Sequence, residues 1–570
     1  MSWRATAPLA LMLALLVSGC TGQRAPGTTP SSGEPPRQAT PKRLVVGVYG
    51  DLPSFRSQTN TTSPGVVDTE ALVNAGLAMA DSGGNLHPQL AEAVPTVENG
   101  LWKLLPDGQM ETTWKIRPNA RWHDGTPFTA ADVQFSILDV GMDRELPVFF
   151  HIAYDSIAGI DAPDPQTVLI RWKRVFVDAD RILSTIGTTH PTPLPKHILA
   201  RYTDDKASFL ELPYWGSEFV GLGPYKVKEF NVGSSVILEG NDAYVGGRPK
   251  IDQIEVRFIQ DVNAIMANVL SGNVELTLGR GISLEQGLQL RQQWTGGTLQ
   301  IEPNSWLAIF PQFVNPSPPA SADVRFRRAM LHATDRQAMV DTIMHGESSV
   351  AHAFLSPNER EYKQVESSII KYEYDPRRAV QLLEELGNVR GPDGMMRMAD
   401  GKPLAIQFQT TAQETHQAAL FSMGDYLKQV GVEINPEILA PQRVRDREYR
   451  STRTGFELAR NPNGVSSFLP RNHGSQTGLP ENNFRRYTNK SRYMNPEFDA
   501  LIDRYFETVP LTERTAVLGQ ILRHMTENLN AFGLVYETAV IAVSNRLSGV
   551  TMAKTDVSNS TWQSQLWDLK

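Results

Sequence analysis

The stretch RWHDGTPFTAADVQFS, residues 121–136, places a histidine directly beside an aspartate. A histidine paired with a carboxylate can act as a general base, but catalysis also needs a nucleophile or a metal ion held against the ring. Neighbouring residues in a tight turn rarely point at one another, and the sequence carries no hydrolase nucleophile motif to accompany the pair. We therefore predict that His123 and Asp124 belong to a structural element and are not a catalytic pair.

The residues after this pair are typical of a turn that leads into a helix. Gly125 tolerates a positive φ and Pro127 fixes its own φ, so the two favour a tight turn. Thr129 is a good N-cap, and Asp132 three residues later can complete a capping box, although glutamate or glutamine is more usual there. The sequence therefore predicts a turn followed by a capped helix.

Length, composition and charge limit the classes of protein to which the chain can belong. A chain of 570 residues is too long for one hydrophobic core, because domains typically contain about 150 residues. Hydrophobic residues make up 41% and charged residues 21%, as in soluble globular proteins. The net charge of −7 and the pI near 5.9 argue against nucleic acid as a partner. The pairs Arg327-Arg328 and Arg377-Arg378 are predicted to lie on solvated helix faces.

The N-terminus has the features of a secretory signal. Arg4 is followed by an apolar run over 5–17, which is too short to cross a hydrocarbon core about 30 Å thick. The residues VSGC at 17–20 resemble the lipobox of bacterial lipoproteins, in which the cysteine is lipidated and becomes the first mature residue. We predict a lipoprotein signal peptide over 1–19 and lipidation of Cys20; the alternative is a plain signal peptide whose cysteine is incidental.

The next segment, 20–41, is predicted to be a lipid-anchored disordered tether. It is rich in proline, serine, threonine and glycine and lacks apolar periodicity. The single cysteine of the chain leaves no disulfide framework and no thiolate metal site. The folded protein then lies in a periplasm or on the outer face of a bacterial membrane. We predict no cofactor, since ATP and NAD are not available there.

A metal site is not predicted either. The 11 histidines lack the spacing of metal ligands, and neither H-E-x-x-H nor C-x-x-C occurs. His416, on the polar side of a predicted helix, is expected at the protein surface. Nickel is therefore disfavoured as a ligand, while a haem or a metal chelate stays open.

Strand and helix patterns alternate along the folded part of the chain, which favours α/β lobes over a barrel or a sandwich. The strand-like segments are RLVVGVYGD (43–51), METTWKIRP (110–118), TVLIRWKR (167–174), YKVKEF (225–230), SVILEG (235–240) and IDQIEVRFI (251–259). After residue 300 the pattern is more helical. Asp375 and Asn495 are predicted N-caps, each followed by a proline at the first helical position.

Several motifs then identify a family. The residues WKIR (114–117) and WHDGTPFTAADV (122–133) resemble the signature of the extracellular solute-binding proteins of family 5, the peptide- and nickel-type binding proteins of ABC importers. Further blocks of the chain resemble this family in the expected order: 221–225, 241–252, 324–336, 374–387 and 495–499. Each block alone is a weak signal, but the ordered set over roughly 43–510 is a specific one.

The resemblance implies a fold and a division into domains. The fold is an α/β, two-lobed periplasmic-binding-protein fold of the Venus flytrap kind, class II and similar to cluster C, with an extra subdomain in the first lobe. The expected segments are 42–83 (first segment of lobe I), 84–220 (extra subdomain of lobe I), 221–300 (second segment of lobe I), 301–534 (lobe II) and 535–570 (C-terminal segment of lobe I).

The resemblance also implies a function. A monomeric, anchored protein would capture a peptide or similar small molecule by closure of the two lobes and deliver it to the permease of an ABC importer, without making or breaking a bond. Two alternatives stay open. A secreted lipoprotein hydrolase acting on peptides or cell-wall fragments would need G-x-S-x-G, S-x-x-K before K-T-G, or H-E-x-x-H, none of which occurs. A flytrap sensor or chaperone is not separated from an importer protein by sequence.

The ligand is expected to lie where the lobes meet. In peptide-binding relatives an acidic residue holds the α-amino group, but the corresponding stretch here has no carboxylate between Glu457 and Glu481. This favours a neutral or anionic ligand, or a peptide held by its backbone and carboxylate. The alternative is that an acid from elsewhere, such as Asp51, serves. The candidate contacts are Asp51, Phe55, Arg460, Asn461, Asn463 and His473.

Overall fold

Strands and helices alternate from Arg43 to Leu569. The structure is a computed structural model that describes residues 41–55, 65–146, 149, 151–186, 191–279, 281–484, 486–555 and 559–570. Its strands are β1 (Arg43–Tyr49), β2 (Ala78–Ala80), β3 (Leu86–Pro88), β4 (Trp102–Leu104), β5 (Met110–Lys115), β6 (Ile157–Asp164), β7 (Thr167–Trp172), β8 (Tyr225–Asn231), β9 (Ser235–Gly240), β10 (Gln253–Ile259), β11 (Leu276–Leu278), β12 (Gly297–Phe310), β13 (Val389–Arg390), β14 (Met396–Arg397), β15 (Ala405–Thr411), β16 (Glu433–Leu439), β17 (Phe456–Asn461), β18 (Phe532–Ser544), β19 (Leu547–Ser548) and β20 (Asp568–Leu569). Its α-helices are α1 (Val66–Val73), α2 (Ala130–Gln134), α3 (Lys196–Leu199), α4 (Lys206–Leu210), α5 (Val262–Leu270), α6 (Leu284–Gln293), α7 (Val324–Ala333), α8 (Arg336–Ile343), α9 (Tyr362–Val365), α10 (Pro376–Glu385), α11 (Glu414–Gln429), α12 (Pro441–Arg445), α13 (Arg447–Thr452), α14 (Val465–Asn472), α15 (Pro496–Glu507) and α16 (Leu511–Asn528).

One large mixed sheet runs through both lobes. Its strand order is β16-β15-β17-β12-β18-β11-β1-β10-β9-β8. The antiparallel strands β12 and β18 lie at its centre and are 14 and 13 residues long. One end of this strand pair contributes Ile541 and Val543 to a core with β1 and β8–β10, and the other contributes Leu307 and Leu534 to a core with β15 and β17. Because separate cores form on the two halves of a shared strand pair, the predicted two-lobed α/β fold is confirmed.

The ladder between β12 and β18 is interrupted between the two cores. Pro303 pairs with Thr538 and Ser305 pairs with Glu537, so Asn304 has no partner in the register. Proline has no N–H to give to a ladder and is found within sheets at edges or bulges, and a bulge bends the strand locally. We infer that this bulge, at the crossing between the lobes, is part of the hinge.

A second sheet, with the order β4-β5-β7-β6, forms the extra subdomain. Its core is built around Trp114 and Trp172 and also contains Ala75 and Leu222, which lie outside 84–220. Leu194, inside that range, packs in the core of lobe I. The domain boundaries given above remain predictions.

The predicted helix caps are confirmed. Thr129 and Asp132 form a capping box at the start of α2, in which the backbone N–H of Thr129 donates to Asp132 Oδ2 at 2.9 Å. The carboxylate of Asp375 accepts from the first turn of α10, and Asn495 accepts from the backbone N–H of Phe498 in α15. These caps start the helices where the sequence places them because each bond joins residues at most three positions apart.

Arg327, on α7, departs from the predicted solvated helix face. It is 3% exposed, and its guanidinium donates to the backbone oxygens of Ser321 and Asn528, both at 2.8 Å. Asn528 is the last residue of α16, where helix carbonyls have no helical donor. The prediction was wrong here because the acceptor lies 201 residues away in sequence. Arg377 is exposed, as predicted.

The ring of His123 connects the signature stretch by hydrogen bonds to the turn at 221–223, about 100 residues later in the sequence. Its Nδ1 accepts from the backbone N–H of Gly221 at 3.1 Å, so its Nε2 carries the proton and donates to the backbone oxygen of Gly223 at 3.1 Å. Asp124 pairs with His197 instead, at 2.7 Å. The predicted structural role of the pair is thus confirmed. Burial lowers the pKa of His123 to about 4, and the ring is neutral.

No helix in the described ranges is long and apolar enough to cross a membrane. The signal peptide, Cys20 and most of the tether lie outside those ranges.

We predict that His123 makes folding stability depend on pH. The unfolded histidine titrates near 6.5 and the folded one near 4, so the neutral ring stabilises the fold above pH 6.5 and this contribution is lost as pH falls through about 4. The contribution is at most about 3 kcal/mol. Thermal unfolding of the parent and of His123→Gln at pH 7 and pH 4.5 measures it. The parent should be the more stable at pH 7 and the gap should shrink at pH 4.5; a constant gap would contradict the assignment.

Candidate functional site

Three of the predicted contact residues lie together at the end of β17, beside the hinge. Arg460 pairs in register with Leu307 of β12, and Asn461 pairs with Trp306. Asn463 follows two residues later, in the loop before α14. The end of β17 and the β12 bulge therefore meet at the crossing between the lobes.

The buried carboxylate of Glu537 lies between the side chains of Arg460 and His416. Arg460 Nη2 donates to the side-chain oxygen of Asn304, the bulge residue, at 2.7 Å, and Arg460 Nε lies 3.5 Å from Glu537 Oε2. Glu537 belongs to β18 and is 7% exposed. The ring of His416 approaches the other oxygen of Glu537, at 3.2 Å. The charge of Arg460 is thus offset by an acid outside the 457–481 stretch.

His416 was expected at the surface, and that expectation was wrong. It is 2% exposed, because α11 packs against the sheet face that carries Glu537. Its Nδ1 also lies 2.8 Å from the hydroxyl of Thr411, at the end of β15. The polar position of His416 on its helix reflects a buried polar partner and not solvent.

The two asparagines carry amide atoms without partners. Asn463 is fully buried, and neither its nitrogen nor its oxygen has a hydrogen-bond partner among the described residues. Asn461 is 6% exposed, and its Nδ2 also lacks a partner there. An unsatisfied buried polar group costs about 1–3 kcal/mol, and such groups call for a specific explanation. A bound molecule with its own donors and acceptors would supply one.

Glu457, at the start of the stretch that lacks acids, forms ion pairs with Arg450 and Arg453 and not with Arg460. Burial raises its pKa, but the guanidinium groups of Arg450 and Arg453 outweigh burial and lower it to about 2. Glu457 therefore stays ionised and paired within lobe II, and Glu481 is exposed.

The structure does not bring the other predicted contacts to this point. Asp51 is exposed just after β1. Phe55 is 1% exposed, with its ring centroid 4.9 Å from that of Phe219 in the core of lobe I. His473 Nδ1 lies 2.8 Å from the hydroxyl of Ser475, and its Nε2 is 3.7 Å from Asp503. Of the six predicted contact residues, those that lie together at the end of β17 and in the following loop are Arg460, Asn461 and Asn463.

Sequence reasoning missed Asn304, Glu537 and the burial of His416. One signal was available: Glu537 is the one charged residue in the mostly apolar run FGLVYETAVIAVS of β18. A lone acid in a central strand is buried only when it is paired. Among the described residues, no group of three or more His, Cys, Asp or Glu side chains could hold a metal ion.

Comparison with known proteins agrees with this architecture. The profile of the bacterial extracellular solute-binding proteins, family 5 Middle, matches residues 85–484. The oligopeptide-binding protein AppA of Bacillus subtilis is 24% identical over 555 residues, which is 95% of this chain and 94% of AppA.

Solved structures share the fold. The structure of B. subtilis AppA in complex with a nonapeptide has a TM-score of 0.70 at 22% identity and covers 93% of this chain and 100% of that one. The periplasmic EDTA-binding protein EppA has a TM-score of 0.76 at 16% identity, covering 94% and 99%. NikZ of Campylobacter jejuni in complex with Ni(L-His) has a TM-score of 0.72 at 20% identity, covering 93% and 100%. The chain belongs to the bacterial extracellular solute-binding proteins of family 5.

Proposed function

We propose that the protein captures a peptide or a similar small molecule outside the cytoplasmic membrane and delivers it to the permease of an ABC importer. AppA, which matches nearly the whole chain, is an oligopeptide-binding protein, and its solved complex holds a nonapeptide. The ligand binds between the lobes, is released unchanged, and favours the closed form by its higher affinity for that form.

The observation that carries this proposal is the buried amide of Asn463, whose donor and acceptor both lack partners among the described residues. A peptide backbone supplies a carbonyl and an N–H in the spacing that one side-chain amide can bind. Arg460 is offset by Glu537, so the site as a whole does not favour a strongly anionic ligand. The ligand-binding residues of the proposal are Arg460, Asn461 and Asn463, with Asn304 and Glu537 orienting the arginine.

Anchoring keeps the protein near its permease. In this proposal Cys20 carries a lipid and the segment to residue 41 acts as a flexible tether, so a monomer on the outer face of the membrane stays within reach of the transporter. The lipid keeps the protein at the membrane surface and takes no part in ligand recognition.

We predict that Arg460→Ala weakens ligand binding at least about tenfold, equivalent to about 1.4 kcal/mol. The change removes the partner of buried Glu537 and of Asn304. A thermal-shift screen with peptides, sugars, opines and metal chelates supplies the ligand, and calorimetry compares the variants. The control is Arg377→Ala, which removes an exposed arginine of the same lobe. Equal affinity of Arg460→Ala and the parent would show that the site lies elsewhere.

A second prediction separates stability from binding at Asn463. Asn463→Leu replaces unsatisfied amide atoms by apolar ones of similar size, so the ligand-free protein should unfold at the same temperature as the parent or higher. The same variant should lose at least about tenfold in ligand affinity, because the amide is then absent from the site. Thermal unfolding and calorimetry measure the two effects. A lower unfolding temperature with unchanged affinity would assign Asn463 a purely structural role.

A further inference from the structure

The extra subdomain contacts lobe II directly, just after strand β7. The backbone N–H of Val177 donates to the backbone oxygen of Phe506, in α15, at 3.0 Å. The side chain of Val177 is buried in an apolar core whose other members, among them Phe498 and Leu518, belong to lobe II or to β18. A side chain of the subdomain therefore completes a core of lobe II.

Aromatic rings continue this contact from the sheet of the subdomain into α15. Trp172 of β7 stacks on Phe176 with ring centroids 5.8 Å apart, and Phe176 stacks on Phe506 with centroids 6.3 Å apart. The interplanar angles are 18° and 16°. Ring pairs at such distances attract each other beyond the area that they bury. Val509, just after α15, packs against both the subdomain core and the lobe II core, so the apolar contact between the two bodies is continuous.

An ion pair lies at the exposed edge of this contact. Arg174 is 3.4 Å from Glu507, the last residue of α15, and both side chains are exposed. Because an exposed ion pair adds little attraction, the hydrogen bond and the apolar contacts carry most of the interaction. We name the contact between residues 172–177 and residues 506–509 the clasp.

The subdomain side of the clasp is fixed to lobe I. His123 of the subdomain is hydrogen-bonded to Gly221 and Gly223, and Leu222 between them lies in the subdomain core. These residues lead directly into β8 of the large sheet. None of the clasp residues belongs to β12 or β18, the strands that cross between the lobes. A rotation that opens the lobes at the β12–β18 bulge therefore has to separate the two sides of the clasp.

We propose that the clasp stabilises the closed arrangement of the two lobes before a ligand is bound, and so sets the affinity of a site that it does not touch. The inference rests on the proposed function, because it assigns a control of closure to a protein that captures its ligand by closing. A ligand that binds the closed form has an apparent affinity reduced by the fraction of the protein that is closed. The clasp is a small contact, so it biases the lobes without locking them, and a ligand still favours closure.

The first test uses the full-length protein without added ligand. Hydrogen exchange at the amide of Val177, followed by mass spectrometry of fragments that contain it, reports opening of the clasp because this amide donates across the contact. Phe506→Ala removes the lobe II ring and should speed the exchange at least about threefold and raise the radius of gyration in X-ray scattering. Phe421→Ala, which removes an exposed phenylalanine of α11 in the same lobe, should match the parent in both measurements.

A charge exchange tests the clasp without touching a core. Arg174 and Glu507 are exposed, so their substitution leaves the packing of both bodies intact. Arg174→Glu sets two carboxylates against each other and should speed the exchange at Val177. Adding Glu507→Arg restores the pair with its charges reversed and should return the exchange to the parent's rate. This pair of variants decides the point if Phe506→Ala does not fold.

The second test measures binding with a pool of synthetic nonapeptides at a concentration below saturation. Peptides retained at pH 7 through size-exclusion chromatography are counted by mass spectrometry, and Phe506→Ala should retain about tenfold less than the parent or Phe421→Ala. Unchanged exchange at Val177, or unchanged retention, in the clasp variants would overturn the clasp and leave the proposed function standing. Retention of no peptide by the parent would overturn peptide capture, and the exchange and scattering of the ligand-free variants would still decide whether the clasp holds the lobes together.

Discussion

The carboxylate of Glu537 lies buried where the β12–β18 ladder is interrupted, between the guanidinium of Arg460 and the ring of His416. A buried charge is tolerated only when it is paired, and removing one partner of a buried pair typically costs about 3–5 kcal/mol. Strand β17, which carries Arg460, is therefore held at the β12–β18 bulge by charge as well as by packing, and helix α11 places the ring of His416 3.2 Å from the same carboxylate. The position of the C-terminal end of β17 follows from this interaction.

The β12–β18 bulge, which we infer to be part of the hinge, is polar, whereas the two cores on either side of it are apolar. The cores of lobe I and lobe II are filled by aliphatic, methionine and aromatic side chains, and such closely packed cores resist deformation. Between them stand a proline, an unpaired bulge residue and a network of side-chain bonds. Because rigid bodies joined at a weakened ladder move by rotation about it, this arrangement suits capture by closure. The extra subdomain also contacts lobe II directly, because the backbone N–H of Val177 donates to the backbone oxygen of Phe506 at 3.0 Å.

The sequence predicted local structure well and long-range charge pairing poorly. Thr129, Asp375 and Asn495 were identified as caps because a cap bonds residues at most three positions away. Arg460 and its bulge partner Asn304 lie 156 residues apart, and no pattern in one stretch indicates the other. The burial of His416 was not predicted for the same reason, because its partner Glu537 lies on β18, near the C-terminal end of the chain. The family motifs supplied the two-lobed fold, and the pairing of charges at its hinge required the structure.

Closure of two rigid lobes over a ligand is the central claim of this account. Small-angle X-ray scattering of the full-length protein, with and without a saturating amount of the tightest ligand from the screen, measures it most directly. The account predicts that the radius of gyration falls when the ligand is added, because the lobes rotate toward each other about the β12–β18 bulge. Scattering profiles that superimpose at full occupancy would contradict it.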